Sequence, residues 1–160
     1  SEDPCADDIA YLTKCAARKV GDFGITPKVA LISASNFGAR RSPSAIKMRE
    51  ALQILMRDVP ELEVEGEMQP DLALDPELRA RVFPSSRLQG AANLLVMPNL
   101  EAANGAFKLV RGLAGALHVG PILLGIAKPA HITTPSVTAR GLVNLAALAV
   151  IDAQVMKVDF

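Results

Sequence analysis

Short apolar runs separated by segments of helical period organise this chain. Val29-Ala-Leu-Ile-Ser33, Leu94-Leu-Val-Met97 and Ile122-Leu-Leu-Gly125 are continuous, short and bounded by Gly, Pro or Ser, the pattern of strands buried on both faces. Glu63–Glu67 is a weaker strand candidate. The plainest helix starts at Ser42-Pro43, where a serine caps free amides and a proline suits the first turn. It runs through Ala45, Met48, Leu52, Leu55 and Met56 and ends before Pro60. Helices are also predicted over Ile9–Arg18, Asn99–Arg111 and Ser136–Gln154, the last with Val143, Ala147, Val150 and Ala153 inward. This alternation predicts an α/β fold, a mainly parallel sheet flanked by helices on both faces. With no internal repeat, low-complexity segment or obvious linker, residues 1–160 read as a single domain.

Composition narrows the function classes. Half of the 160 residues are apolar, enough for one core. Seventeen basic residues balance seventeen acidic ones, so no net field favours nucleic acid or an anionic membrane, and ligand recognition is local. Cys5 and Cys15 build no disulfide framework, which points to a reducing, cytoplasmic compartment; a catalytic thiol is the minor alternative. Asn144 interrupts even Gly141–Ile151, so no run of about 18 apolar residues predicts a membrane span. The acidic start lacks the basic region of a signal peptide, and its lack of methionine suggests a fragment.

In parallel sheets ligands bind beyond the carboxyl ends of the strands, which singles out three loops. Ser33-Ala-Ser-Asn-Phe-Gly-Ala-Arg-Arg-Ser42 combines hydroxyls, an amide and two arginines just before a helix, chemistry suited to phosphate. It lacks the Gly-Lys-Ser/Thr ending of a P-loop, and a polar turn with two solvated arginines is the equal alternative. In Pro98-Asn-Leu-Glu-Ala-Ala-Asn104, either Asn99 or Asn104 caps backbone or holds a ligand, and Lys108 lies on the surface or reaches the same cleft. Lys128–Thr138 places His131 near Thr133, Thr134 and Ser136, which invites a nucleophile reading. A triad needs an orienting acid, and none occurs between Glu101 and Asp152. His118 and His131 have no metal-ligand spacing, so no metal site is expected. Gly66-Glu-Met-Gln-Pro-Asp71 carries two carboxylates, expected to be exposed as charged residues usually are.

Several motifs in order resemble the phosphate acetyltransferase/butyryltransferase family from about Asp7 to Gln154. The family's Ser-x-Ser-Thr-x-Gly-Ser loop is similar to Ser33-Ala-Ser35-Asn36-Phe-Gly38-Ala39, with the threonine and last serine replaced. Its Gly-Glu-x-Gln-x-Asp-x-Ala run matches Gly66, Glu67, Gln69, Asp71 and Ala73. Its Ala-Asn-x-Leu-x-x-Pro-x-Leu run, with the following Asn and Lys, matches Ala92, Asn93, Leu95, Pro98, Leu100, Asn104 and Lys108. Gly120-Pro121, Gly125 and Lys128-Pro129 resemble the next segment. The chain looks like the second half of the family's two-part module.

The departures carry the functional expectation. Active members place serine, arginine and an aspartate where this chain, matched without a gap from Pro129, has Thr134, Pro135 and Gly141. Proline cannot stabilise charge on an acyl or phosphoryl oxygen, and glycine cannot accept a thiol proton. Arg140 returns positive charge but no base. These variants look like those of the transferase-like C-terminal domain of large bacterial malic enzymes. That resemblance implies a regulatory and oligomerisation domain binding acetyl-CoA through Ser33, Ser35, Asn36, Arg40, Asn104, Lys108, Thr134 and Arg140, with no catalytic residue of its own. It also implies an N-terminal malic enzyme domain that decarboxylates malate to pyruvate with NADP and Mg or Mn, none of whose machinery lies here, and a homo-oligomer. A divergent active acetyltransferase and a purely structural assembly domain are the alternatives.

Overall fold

The computed structural model describes residues 2–115, 118–135 and 137–155. The chain divides into two compact units, residues 1–108 and 109–160. The first carries α1 (Ala6–Asp22), β1 (Lys28–Ile32), α2 (Pro43–Asp58), β2 (Glu63–Met68), α3 (Pro70–Leu74), α4 (Pro76–Val82) and β3 (Leu94–Val96). Helix α5 (Leu100–Ala114) begins in the first unit and continues into the second, which also holds α6 (Ala139–Val155).

The strands form a parallel sheet in the order β2-β1-β3, with Val29 opposite Val64 on one side and Leu94 on the other. Because strand side chains alternate, β1 feeds two cores. Val29 and Leu31 pack with Val64 against Ile9, Ala10 and Ala17 of α1 and Met48, Ala51 and Leu55 of α2. Ala30 and Ile32 point the other way, to Met68, Leu72 and Ala73, with Leu88 and Ala92. Helices therefore cover both faces, and every residue of β1 beyond Lys28 is buried.

Local sequence explains the helix starts. Ser42 accepts from Ala45 N at 3.3 Å ahead of Pro43, and Asp75 accepts from Glu77 N and Leu78 N ahead of Pro76. Asn93 joins β3 to β1: its Oδ1 accepts from Lys28 N at 2.7 Å, its Nδ2 donates to Thr26 O at 2.9 Å, and its own N–H donates to Lys28 O at 2.9 Å.

Three expectations need correction. Ile122–Gly125 forms no strand; the run lies in the second unit, bracketed by Gly120 and Gly125 at φ 144° and 72°, and only three strands form among the described residues. The inward side of α6 is Leu145 and Leu148, while Val143, Ala147 and Val150 are exposed. That helix is apolar nearly all round, so its sequence does not fix its phase. Glu67, expected at the surface, is buried, and so is Glu65. No helix among the described residues is long and apolar enough to cross a membrane.

Candidate functional site

The loop after β1 is shaped by the end of β2. Ser33 N donates to Met68 O at 2.9 Å, and Phe37 N to Glu67 O at 2.7 Å. Asn36 and Gln69 pair twice, Gln69 N to Asn36 Oδ1 at 2.7 Å and Asn36 Nδ2 to Gln69 Oε1 at 3.2 Å, while Gln69 Nε2 reaches Ala34 O at 3.3 Å. Phe37 sits at φ 46°, a left-handed conformation rare for a large side chain, with its ring stacked on Phe83 at 4.1 Å.

Glu67 is the centre of this arrangement. Its side chain is 0 % exposed, and its Oε1 accepts from Ser35 Oγ at 2.7 Å, Gly38 N at 3.0 Å and Arg49 Nη1 at 2.8 Å. Its Oε2 is buried without a hydrogen-bond partner. Arg49 Nη1 also reaches Arg40 O at 3.2 Å, and Arg40 N donates to Ser35 Oγ at 3.0 Å. Ala39 N donates to Asn36 O at 3.0 Å. The amides of Phe37 through Arg40 are thus all committed within the protein. Arg40 and Arg41 are exposed at the end of the loop.

Of the residues singled out from the sequence, Ser33, Ser35, Asn36 and Arg40 come together on this loop. Ser33 and Ser35 are buried, and Ser33 Oγ accepts from Ser35 N at 3.3 Å. Asn104 and Lys108 are exposed on α5, with Lys108 Nζ 5.5 Å from the Phe107 ring centroid. Asn99 caps that helix, accepting from Ala102 N at 2.8 Å. Arg49 and the burial of Glu67 were missed; the Gly-Glu-x-Gln spacing was the available signal.

The second unit holds Thr134, Pro135, Arg140 and Gly141, the first three exposed. Thr134 O accepts from Val137 N at 3.0 Å, and Thr138 Oγ1 caps α6 by accepting from Gly141 N at 3.1 Å. A Cβ at Gly141 would meet Val137 Cγ2 at 3.0 Å. Ser136 lies outside the described residues. His131 Nε2 lies 3.6 Å from Asp152 Oδ2, with both side chains largely buried. The acid absent from the local sequence is therefore brought in by α6.

Comparison with known proteins decides the relationship. A phosphate acetyl/butaryl transferase family model matches residues 1–150. This chain belongs to that family. Within the family it is 57% identical over 149 residues to an NAD-dependent malic enzyme of Rhizobium meliloti, covering 93% of this chain and 19% of the relative. It is 46% identical to the NADP-dependent malic enzyme of Escherichia coli, over 96% of this chain and 20% of that protein. A phosphotransacetylase structure from Streptococcus pyogenes superposes with a TM-score of 0.86 at 34% identity, over 94% of this chain and 45% of the other. The chain thus spans about a fifth of these malic enzymes and under half of that phosphotransacetylase. Its fold is half of a phosphotransacetylase-like module, and the chain resembles one part of these larger malic enzymes.

Proposed function

We propose that this domain regulates a hybrid malic enzyme by binding acetyl-CoA as an allosteric effector, contributes to its oligomerisation, and transfers no acetyl group itself. The observation that carries the reading is the retention of the family's loop motifs beside Pro135 and Gly141, where the resemblance expects an arginine and an aspartate. In this reading the candidate acetyl-CoA contacts are Ser33, Ser35, Asn36, Arg40, Asn104 and Lys108 in the first unit and, separately, Thr134 and Arg140 in the second. Arg40 and Arg140 supply charge, while Ser35 and Asn36 hold the loop through Glu67 and Gln69. The parent is a cytoplasmic enzyme that oxidatively decarboxylates malate to pyruvate, and NADP with Mg or Mn belongs to its N-terminal domain. The exposed Leu142, Val143, Val150 and Ile151 of α6 support the assembly role.

An effector shifts an equilibrium only through different affinities for its two states, typically by a coupling of about 1–3 kcal/mol. The test is calorimetric titration of acetyl-CoA into the full-length protein with malate oxidation followed in parallel. Binding with altered turnover supports the reading; no effect at saturating acetyl-CoA removes it and leaves an assembly domain. A divergent transferase is the second reading, supported by the approach of Asp152 to His131. Phosphate-dependent thiol release from acetyl-CoA, lost in Thr134→Ala, would establish it instead.

A further inference from the structure

We propose that Glu67 and Arg49 are the positioning pair of the ligand loop: their ion pair sets the conformation of residues 33–40 and thereby the affinity for ligand. The functional consequence rests on the acetyl-CoA reading; the effect on the loop does not. The pair joins three elements, β2 through Glu67, α2 through Arg49 and the loop itself through Ser35 and Gly38. Arg49 closes the ring by also donating to Arg40 O. One carboxylate oxygen thus collects a hydroxyl, an amide and a guanidinium, the donor set of a small anion-binding nest turned inward onto the protein's own carboxylate.

Two further features show that this is more than a buried ion pair. Arg49 meets only Oε1, leaving Oε2 buried with no hydrogen-bond partner among the described residues, an arrangement that sacrifices the bidentate pairing open to an arginine and a carboxylate. Phe37, next to Gly38 in the loop, takes a left-handed conformation with its N–H on the Glu67 backbone carbonyl and its ring stacked on Phe83. The loop therefore has at Phe37 a shape that residue does not favour, and Glu67 contacts it through both its backbone and its side chain. Arg40 and Arg41 depend on that shape for where their guanidinium groups stand.

Glu67→Gln keeps an acceptor oxygen for all three donors, removes the charge and puts an NH2 group in place of Oε2; Arg49→Met removes the other partner, and Arg49→Lys keeps its charge. In the full-length protein, Glu67→Gln and Arg49→Met are expected to speed amide exchange at Gly38 and Arg40 by about tenfold or more, with Val29–Leu31 still protected. Acetyl-CoA binding weakens by a similar factor, and Arg49→Lys restores much of both. Wild-type exchange in Glu67→Gln and Arg49→Met overturns the proposal, as does faster loop exchange with unchanged acetyl-CoA affinity. Should Glu67→Gln fail to fold, the two Arg49 variants carry the same comparison. If the unaltered protein binds no acetyl-CoA, the effector reading falls, and loop exchange alone supports or overturns the positioning role.

Discussion

Replacing Arg79 by methionine tests how far a single buried cation holds the α3–α4 side of the fold. Arg79 is 2 % exposed, and its hydrogen bonds among the described residues go to carbonyls, not to a carboxylate. Its guanidinium instead donates to Leu72 O at 2.8 Å, Leu88 O at 2.9 Å and Gly90 O at 2.5 Å, with a longer contact to Ala73 O at 3.4 Å. Each of the three short bonds is worth about 1.5 kcal/mol net, and the long one adds little. Methionine fills the space of the stem and sheds the cost of burying a charge, which returns about 1–2 kcal/mol. The expected loss is about 3 kcal/mol, because the buried Leu72 and Leu88 lose a donor to their carbonyls, while Ala73 O keeps the Ala92 amide. Urea unfolding reads the stability, and exchange of the Ala92 amide, bonded to Ala73 O at 2.8 Å, reads the local opening. A loss below about 1 kcal/mol with unchanged Ala92 protection would refute the reasoning and assign Arg79 a packing role only.

Gly66→Ala should destabilise by about 3 kcal/mol or more in the same unfolding assay, since φ is 155° and the new Cβ would stand 2.8 Å from both Leu31 Cβ and Leu31 O. Ser42→Ala removes the α2 cap and should cost about 0.5–1 kcal/mol; a loss as large as that of Gly66→Ala would show that the serine does something besides capping. The Asp58 carboxyl is held below the usual carboxylate range, chiefly by its hydrogen bond to Arg57 and next by that to Lys14. The depressed folded value means its contribution is present above the unfolded pKa and lost as pH falls through the folded one. An NMR titration should therefore show Asp58 protonating later on acidification than a free aspartate, and Arg57→Gln should raise its pKa more than Lys14→Met.

The elements whose signals are local are legible in the sequence. Ser42-Pro43 announced α2, and the unbroken apolar run marked β1 because that strand is covered on both faces. Helices α3 and α4, of five and seven residues, are too short to show a period. Ile122–Gly125 carried the same apolar signal as β1, but a short run does not distinguish a strand from irregular packed chain. At the candidate site, the loop and its polar residues were legible from residue types and family motifs. The burial of Glu67 was not, because its donors arrive from positions 18 to 32 residues away. Asp152 was similarly invisible as a neighbour of His131, since only the fold brings them together.

The fastening of β3 by Asn93 bears on how the sheet assembles. A three-residue edge strand offers few ladder bonds, yet its pairing with β1 closes a loop of some 65 residues. Asn93 sets two side-chain bonds and one backbone bond at the mouth of that closure, next to the first paired residues. A one-residue slip would break all three and turn Leu95 away from Ala30 and Ile32. A single amide side chain thus acts as a checkpoint on strand registry, so that β3 docks in one alignment or detaches.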